Sequence, residues 1–165
     1  MTSNTFDLYE FRHSILLAIQ PQDVYRYIAS SRGICSWFIG EAVYMKPGGE
    51  VRGAEENSAK GDSFRWRWLG KELQVEGEVL NSIEGELFEF TFGKSFIVSI
   101  SLTEQNGRTL FTLHQSYRDG AEKNDFAHIN CCVCWVFFMT NLKSVAEHGI
   151  DLRETLADSD SLINR

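Results

Sequence analysis

The residues best suited to chemistry are one histidine and three cysteines close together in the chain: His128, Cys131, Cys132 and Cys134. A histidine and a cysteine three or four residues apart can share one face of a helix, and thiolates bind Zn²⁺ well. A closed zinc site, however, needs four ligands, and Cys134 is rotated by about 60° from Cys131 around a helix. We therefore expect no metal and interpret the cysteines as small apolar residues that make room along the helix.

The other histidines do not form a recognisable catalytic group. General acid–base catalysis needs a nucleophile or carboxylate within hydrogen-bond reach of the imidazole. His114 is out of phase with Phe111 and Leu113 on its strand, so we expect it to face solvent. The sequence also contains no serine–histidine–aspartate order, paired-carboxylate site or nucleotide-binding motif. These features favour a binding domain over an enzyme.

Charge and composition exclude several classes of partner. The net charge of −7 and the scattered basic residues argue against a nucleic acid or an anionic membrane surface as the partner. The first residues lack the apolar stretch of a secretory signal, and the longest apolar run, residues 131–139, is too short to cross a bilayer. The cysteines lack the regular spacing of a disulfide framework, so we expect a reducing cytoplasm.

A sheet and one long helix must position these residues. Segments 64–68 and 88–92 alternate aromatic and polar residues, which predicts two strands with three rings each on one face. Glycine-containing turns separate the other predicted strands, so that neighbouring strands are antiparallel. These strands are residues 11–19, 41–46, 72–82, 95–104 and 109–117. Two short helices are predicted after Pro21, and helical periodicity runs over residues 122–148 with Gly149 as the stop.

One side of the long helix is predicted to pack on the sheet. Its apolar stripe follows the spacing i, i+3, i+4, i+7 and consists of Trp135, Phe138, Met139, Leu142, Val145 and Ala146. Val133, Val136 and Phe137 lie off this stripe, so they either contact the small helices and a loop or form a self-association surface. We hypothesise a homodimer. Residues 47–62, which contain few large apolar side chains, are predicted to be mobile.

The order of these elements resembles the START-like, pollen-allergen-like (SRPBCC) superfamily, in particular the branch similar to the C-terminal domain of the heat-shock-protein ATPase activator. The motifs that carry the resemblance are Pro21-Gln-Asp-Val24-Tyr25 with Trp37-Phe38, Gly61-Asp-Ser-Phe64 with Trp66, Gly77-Glu-Val79-Leu80, and Cys134-Trp135 with Leu142-Lys143, Glu147-His-Gly149 and Asp151-Leu152. The resemblance covers residues 11–153 and leaves 1–10 as an N-terminal extension and 154–165 as a tail. It implies an α+β helix-grip fold, in which a curved antiparallel sheet of about seven strands wraps around the long C-terminal helix.

The resemblance also implies an apolar cavity between sheet and helix, which in the superfamily binds lipids, sterols, polyketides or aromatic compounds. We therefore predict a cytoplasmic domain that binds a hydrophobic small molecule without a cofactor, with residues 47–62 as the gate. The predicted apolar lining is Trp66, Trp68, Phe88, Phe90, Val98, Ile100, Phe111, Trp135, Phe138 and Met139. The predicted polar groups are Gln115, Tyr117, His128 and Cys131.

Two other functions stay open. The first is a protein-binding role of the co-chaperone type, in which a chaperone or other protein contacts the outer surface and the inner rings are only core. The second is a cyclase or hydrolase, as found in a minority of the superfamily, which would need an acid or base inside the cavity. Cys134 stands where the family usually has glycine, and residues 47–62 form a longer loop than expected. Both departures lie where the cavity or its entrance is expected, so the identity of the ligand does not carry over.

Overall fold

The computed structural model describes residues 6–155 and Asn164. The elements are β1 (Glu10–Leu17), α1 (Pro21–Ala29), α2 (Ser31–Cys35), β2 (Glu41–Met45), β3 (Ser63–Arg67), β4 (Gln74–Ile83), β5 (Leu87–Phe92), β6 (Phe96–Gln105), β7 (Arg108–Tyr117) and α3 (Asp125–His148). The seven strands form one antiparallel sheet in the order β1-β7-β6-β5-β4-β3-β2. The inner face of this curved sheet shares one core with α3 and the two short helices. This is the predicted α+β helix-grip fold.

The alternating rings lie together on the inner face of the sheet. Phe64 and Trp66 of β3 stack with ring centroids 4.1 Å apart, and Trp66 meets Phe90 of β5 at 5.1 Å. The Phe64 ring lies over Gly77 of β4, where an added Cβ would be only 2.4 Å from it. Glycine is therefore required at this position, because any side chain would push the ring away. Leu73 lies within the predicted strand 72–82, but in the structure it belongs to the β3–β4 turn and is exposed.

Helix α3 begins and ends where its capping residues allow. The Asn124 side chain accepts a hydrogen bond from Ala127 N at 3.0 Å, so the helix begins slightly later than predicted. It ends at Gly149, whose φ of 69° is left-handed, as the predicted stop requires. Among the described helices, α3 alone is long and apolar enough to cross a membrane by length and composition, with 28% of its most apolar window buried. Its inner side, with Trp135 and Leu142, belongs to the core of the domain.

Hydrogen bonds attach the segment 47–62 to the rest of the domain. Asp62 is fully buried and forms an ion pair with Arg52, as a buried carboxylate requires. Ser58 N donates to the carbonyl of Ala29 in α1 at 2.7 Å, and Gly61 N donates to the carbonyl of Val79 in β4 at 2.9 Å. The composition suggested a mobile loop, but these bonds anchor the segment at both α1 and β4.

Candidate ligand cavity

A cavity of about 170 Å³ opens between α3 and the ends of β3 and β5. Its walls are mainly five aromatic rings: Phe38, Trp68, Phe92, Trp135 and Phe138. The Phe38 centroid lies 4.6 Å from that of Trp135 and 4.9 Å from that of Phe138, so the rings form a continuous surface. The rest of the lining is Leu69, Lys71, Leu73, Asn130, Cys131, Cys134 and Arg153.

Local sequence explains why these rings meet. Trp135 and Phe138 are three residues apart on α3 and therefore share its inner side. Trp68 directly follows β3 and Phe92 ends β5, so each continues the inward alternation of its strand to the edge of the sheet. Phe38 follows α2 and reaches Trp68 at 5.0 Å because the chain passes very close to the β3–β4 turn there. At Gly40 an added Cβ would be 2.9 Å from the Cα of the facing residue, Leu69.

A buried amide orients the cavity's indole. The Gln115 Oε1 accepts a hydrogen bond from Trp135 Nε1 at 2.9 Å, and both side chains are buried. Within the described part of the chain, Gln115 Nε2 has no hydrogen-bond partner. Burial raises the pKa of the Cys131 thiol, and the nearby Gln115 amide offsets part of that rise. The thiol is therefore protonated at neutral pH and behaves as part of an apolar wall.

The charged groups of the cavity lie on Lys71 and Arg153. The guanidinium of Arg153 is already occupied, because it donates to the carbonyls of Cys35 and Ile39 at 2.9 Å and pairs with Asp151 at 2.7 Å. Burial raises the pKa of Cys134, and the nearby Lys71 ammonium partly lowers it. No acidic residue is among the described residues that line the cavity. The site is thus an apolar cleft with cationic groups and no carboxylate.

The structure separates the predicted site residues into three groups. Trp68, Cys131, Trp135 and Phe138 border the cavity. A second group is buried in the core behind it: Trp66, Phe88, Phe90, Val98, Ile100, Phe111 and Met139, with Gln115 against Trp135. These side chains contact one another and fill the middle of the sheet's inner face, whereas the cavity lies at one end of it. A ligand-binding role for them stays a prediction.

Tyr117 and His128 form the third group, near the start of α3. Their rings stack at 5.5 Å, and His128 is fully buried beside Phe11, 5.2 Å away. The Tyr117 hydroxyl accepts a hydrogen bond from Asn124 N at 3.0 Å. Neither residue lines the cavity: Tyr117 ends β7 and His128 lies near the start of α3, where the two rings stack on each other.

The histidine–cysteine cluster is divided between different sides of α3. The Cys132 thiol faces His13 of β1 with an Sγ–Nε2 distance of 3.5 Å, whereas Cys131 lines the cavity. His128 Nε2 instead contacts the carbonyl of Asp7 at 3.2 Å. Within residues 6–155, no group of three or more histidine, cysteine, aspartate or glutamate residues could hold a metal ion.

The sequence did not reveal several of the lining residues, and the predicted gate, residues 47–62, does not border the cavity. Phe38 could have been recognised, since it follows a short helix that is expected to face the sheet. No periodic pattern in the sequence identifies the polar lining residues. They meet at the cavity because the β3–β4 turn with Lys71, one side of α3 with Asn130 and the segment after α3 with Arg153 come together in the fold. No residue of 47–62 lines this cavity, so the segment is not its gate.

Comparisons with known proteins agree with this architecture. The family model described as Activator of Hsp90 ATPase homolog 1-like protein matches residues 18–147. A comparison with curated proteins gave no significant match.

Solved structures share the fold at low sequence identity. The protein SSP2350 from Staphylococcus saprophyticus has a TM-score of 0.68 at 15% identity, covering 87% of this chain and 96% of that chain. The Aha1 dimer from Colwellia psychrerythraea has a TM-score of 0.66 at 18% identity, covering 85% and 97%. The protein MLL2253 from Mesorhizobium loti has a TM-score of 0.67 at 14% identity, covering 86% and 98%. Since the family model spans most of the chain, the protein belongs to the Activator of Hsp90 ATPase homolog 1-like family, within the START-like superfamily.

Proposed function

We propose that this protein binds a hydrophobic small molecule through an apolar group that enters the cavity between α3 and the sheet. The observation that carries the proposal is a cavity of about 170 Å³ with five aromatic rings in its walls. An apolar cavity of about 150 Å³ binds benzene. Pockets for drug-sized ligands are larger, about 300–1,000 Å³. The size therefore favours a single ring or a short chain over a whole lipid or a sterol.

The expected affinity follows from the area that such a group buries. A ring-sized group buries roughly 150 Å² of apolar surface. At about 25 cal/mol per Å², this burial contributes about 4 kcal/mol, which corresponds to a dissociation constant near 1 mM. A natural ligand would gain affinity from a polar or anionic group that pairs with Lys71 or Asn130 in the lining.

Fluorobenzene is a suitable probe because its binding can be followed by ¹⁹F NMR. We expect saturable binding to the wild-type protein and its loss in Cys134→Trp, which places an indole over the cavity. Thr103→Trp is the matched control, because Thr103 is exposed on β6 and does not line the cavity. Equal binding to all three proteins, or no saturable binding to the wild type, would count against the proposal. Native mass spectrometry of freshly purified protein would then identify any ligand that copurifies.

A protein-binding, co-chaperone-like role is the second candidate, since the family fold is compatible with ligand binding and with regulatory roles. It is favoured by the exposed apolar side of α3, on which Phe126 is 81% exposed. We propose self-association as the use of this side, and the Colwellia structure that this chain resembles is that of a dimer. A cyclase or hydrolase is less supported, because no aspartate, glutamate or histidine is among the described residues that line the cavity.

We propose a cytoplasmic location on chemical grounds. Cys35, Cys131, Cys132 and Cys134 are all free thiols in the structure. Free thiols persist in a reducing compartment, and the family and fold are those of soluble domains. Localisation of a tagged protein in its natural host would test this proposal, and secretion would contradict it.

A further inference from the structure

Helix α3 has a second apolar side that faces away from the core. Phe126, Ile129, Val133 and Val136 are 81%, 45%, 65% and 52% exposed. Their spacing of three, four and three residues places them within an arc of about 80° around the helix. Thr140 continues the spacing by four residues and is exposed as well. This alternation of three and four is typical of a helix that packs lengthwise against another helix. We call these five residues the outer stripe.

We infer that a second copy of this chain docks on the outer stripe, with the two α3 helices antiparallel about a two-fold axis at Val133. The inference rests on the proposed self-association and specifies its surface. A two-fold contact brings identical patches together, so the patch must be complementary to itself. Val133 is the central member of the outer stripe, with Phe126 seven residues before it and Thr140 seven residues after it. In the antiparallel pair Val133 meets its own counterpart, and the large Phe126 meets the small Thr140.

Charge does not oppose this pairing. No charged residue lies between Asp125 and Lys143, so two outer stripes meet without like charges facing each other. The antiparallel arrangement also places the positive end of each helix dipole beside the negative end of the other. A second copy can therefore cover the apolar outer stripe without any charged partner residue.

The exposed area predicts a weak and reversible dimer. The exposed part of Phe126 provides about 160 Å², taken from a buried area of about 200 Å² for a whole aromatic side chain. The three aliphatic side chains provide roughly 50 Å² each at their observed exposure. The pair therefore buries roughly 600 Å² of outer-stripe side chains, which is below the range of about 1,200–2,000 Å² for stable complexes. Dimer formation should thus depend on protein concentration in the micromolar range and above.

Dimer and ligand use different sides of the helix. Asn130 and Cys134, the outermost α3 residues that line the cavity, lie about 80° and 120° around the helix from the middle of the outer stripe. The antiparallel pair thus leaves the cavity open. Ligand binding therefore reports on correct folding independently of self-association.

Sedimentation velocity across a micromolar to high-micromolar concentration series tests the surface. We expect the average mass of the wild type to rise from 18.9 kDa towards twice that value, and Val133→Asp to stay monomeric. The matched control is Val51→Asp, because Val51 is similarly exposed, at 57%, and lies far from α3 in the chain. Val133→Asp should still bind fluorobenzene, which shows that it is folded, and its far-ultraviolet circular dichroism provides a check that does not depend on the cavity.

The outcomes separate the inference from the proposal on which it rests. A wild type that stays monomeric at every concentration overturns both self-association and its surface. A dimer that Val133→Asp leaves intact overturns only the outer stripe as the contact.

Disulfide trapping tests the antiparallel arrangement. The background carries Cys131→Ser, Cys132→Ser and Cys134→Ser, to which either Val133→Cys or Thr140→Cys is added. Helices in contact lie about 8–10 Å apart, so the Cα atoms of facing central residues come within the range of about 4.4–6.8 Å that a disulfide needs. Under mild oxidation we expect covalent dimers from Val133→Cys and none from Thr140→Cys. Efficient covalent dimerisation of the Thr140→Cys protein would overturn the antiparallel arrangement about Val133, since that arrangement places the two copies of residue 140 about 21 Å apart along the helix axes, fourteen residues at about 1.5 Å each.

Discussion

Replacing Cys131 by leucine should stabilise the fold and weaken ligand binding at the same time. Cys131 is half-buried on α3 and lines the cavity of about 170 Å³. A leucine side chain has two more heavy atoms, which can occupy the empty space. At about 0.8 kcal/mol for each buried methylene, this filling raises the free energy of unfolding by about 1–2 kcal/mol. At a close-packed position the added atoms would instead cost about 1–3 kcal/mol.

Urea unfolding followed by tryptophan fluorescence measures this free energy. The matched control is Cys35→Leu, because Cys35 is, like Cys131, a half-buried cysteine packed against the core, but it does not line the cavity. We expect Cys35→Leu to lower the free energy of unfolding by about 1–3 kcal/mol. In parallel, ¹⁹F NMR should show weaker fluorobenzene binding to Cys131→Leu, since the leucine occupies part of the cavity.

The sign of the change in the free energy of unfolding of Cys131→Leu shows whether the cavity beside this residue is empty. A loss of about 1 kcal/mol or more in Cys131→Leu, with an unchanged denaturant slope, would mean that the position is as tightly packed as Cys35. The reasoning that the cavity is empty space available to a ligand would then be refuted.

Three further predictions concern groups that hold the fold and the cavity in place. Asp62→Asn should lower the free energy of unfolding, measured in urea, by about 1–3 kcal/mol, because Arg52 loses its fully buried carboxylate partner and keeps only the partly exposed Glu56; a loss below about 1 kcal/mol would contradict a stabilising role for this ion pair. Trp135→Phe should lower the free energy of unfolding by about 1–3 kcal/mol, because the buried Gln115 oxygen loses its hydrogen-bond donor, and adding Gln115→Met should recover part of that loss. If the effects of the two substitutions simply add in the double-mutant cycle, the hydrogen bond between these side chains does not stabilise the fold. Burial raises the pKa of Asp151, but hydrogen bonds, chiefly from Arg153, outweigh it and lower that pKa overall. The depressed pKa contributes to the free energy of unfolding above about pH 4, and this contribution is lost on further acidification. In urea unfolding at a series of pH values, the free energy of unfolding of Asp151→Asn should therefore fall less steeply below about pH 4 than that of the wild type. The same decrease in both proteins would count against this role.

The sequence predicted the fold through patterns that are local in the chain. Alternating rings at residues 64–68 and 88–92 identified two strands and their inner face, and the period of α3 identified Trp135 and Phe138 as inward residues. Such patterns are reliable because alternation and helical period follow from backbone geometry alone. Gly149 ended the helix as expected, because a left-handed residue is most easily supplied by glycine.

The candidate site was only partly predictable, for reasons that particular residues make clear. Trp66 and Trp68 belong to the same alternating run, yet Trp66 stacks within the core whereas Trp68 borders the cavity. Phe38, which follows α2 in the chain, contacts both rings, at 5.8 Å from Trp66 and 5.0 Å from Trp68, and no pattern on β3 shows which of the two borders an empty space. Arg153 reaches the cavity from the segment that follows α3, and no pattern in that segment signals it. Polar content likewise suggested a mobile loop at residues 47–62, where backbone hydrogen bonds to Ala29 and Val79 anchor the chain.

By itself the sequence determined which side chains face the inside of the domain, because inward and outward positions are set by the periods of strand and helix. Only the tertiary structure decided where those side chains leave a space. A void is the difference between the volume enclosed by several elements and the volume of the side chains between them, and a change of one methylene is already felt in such packing. The rings of β3 and β5 pack against one another in the middle of the sheet, as Trp66 and Phe90 do, and the cavity lies at the end of the sheet, where Trp68, Phe92 and Trp135 border a space that no side chain fills.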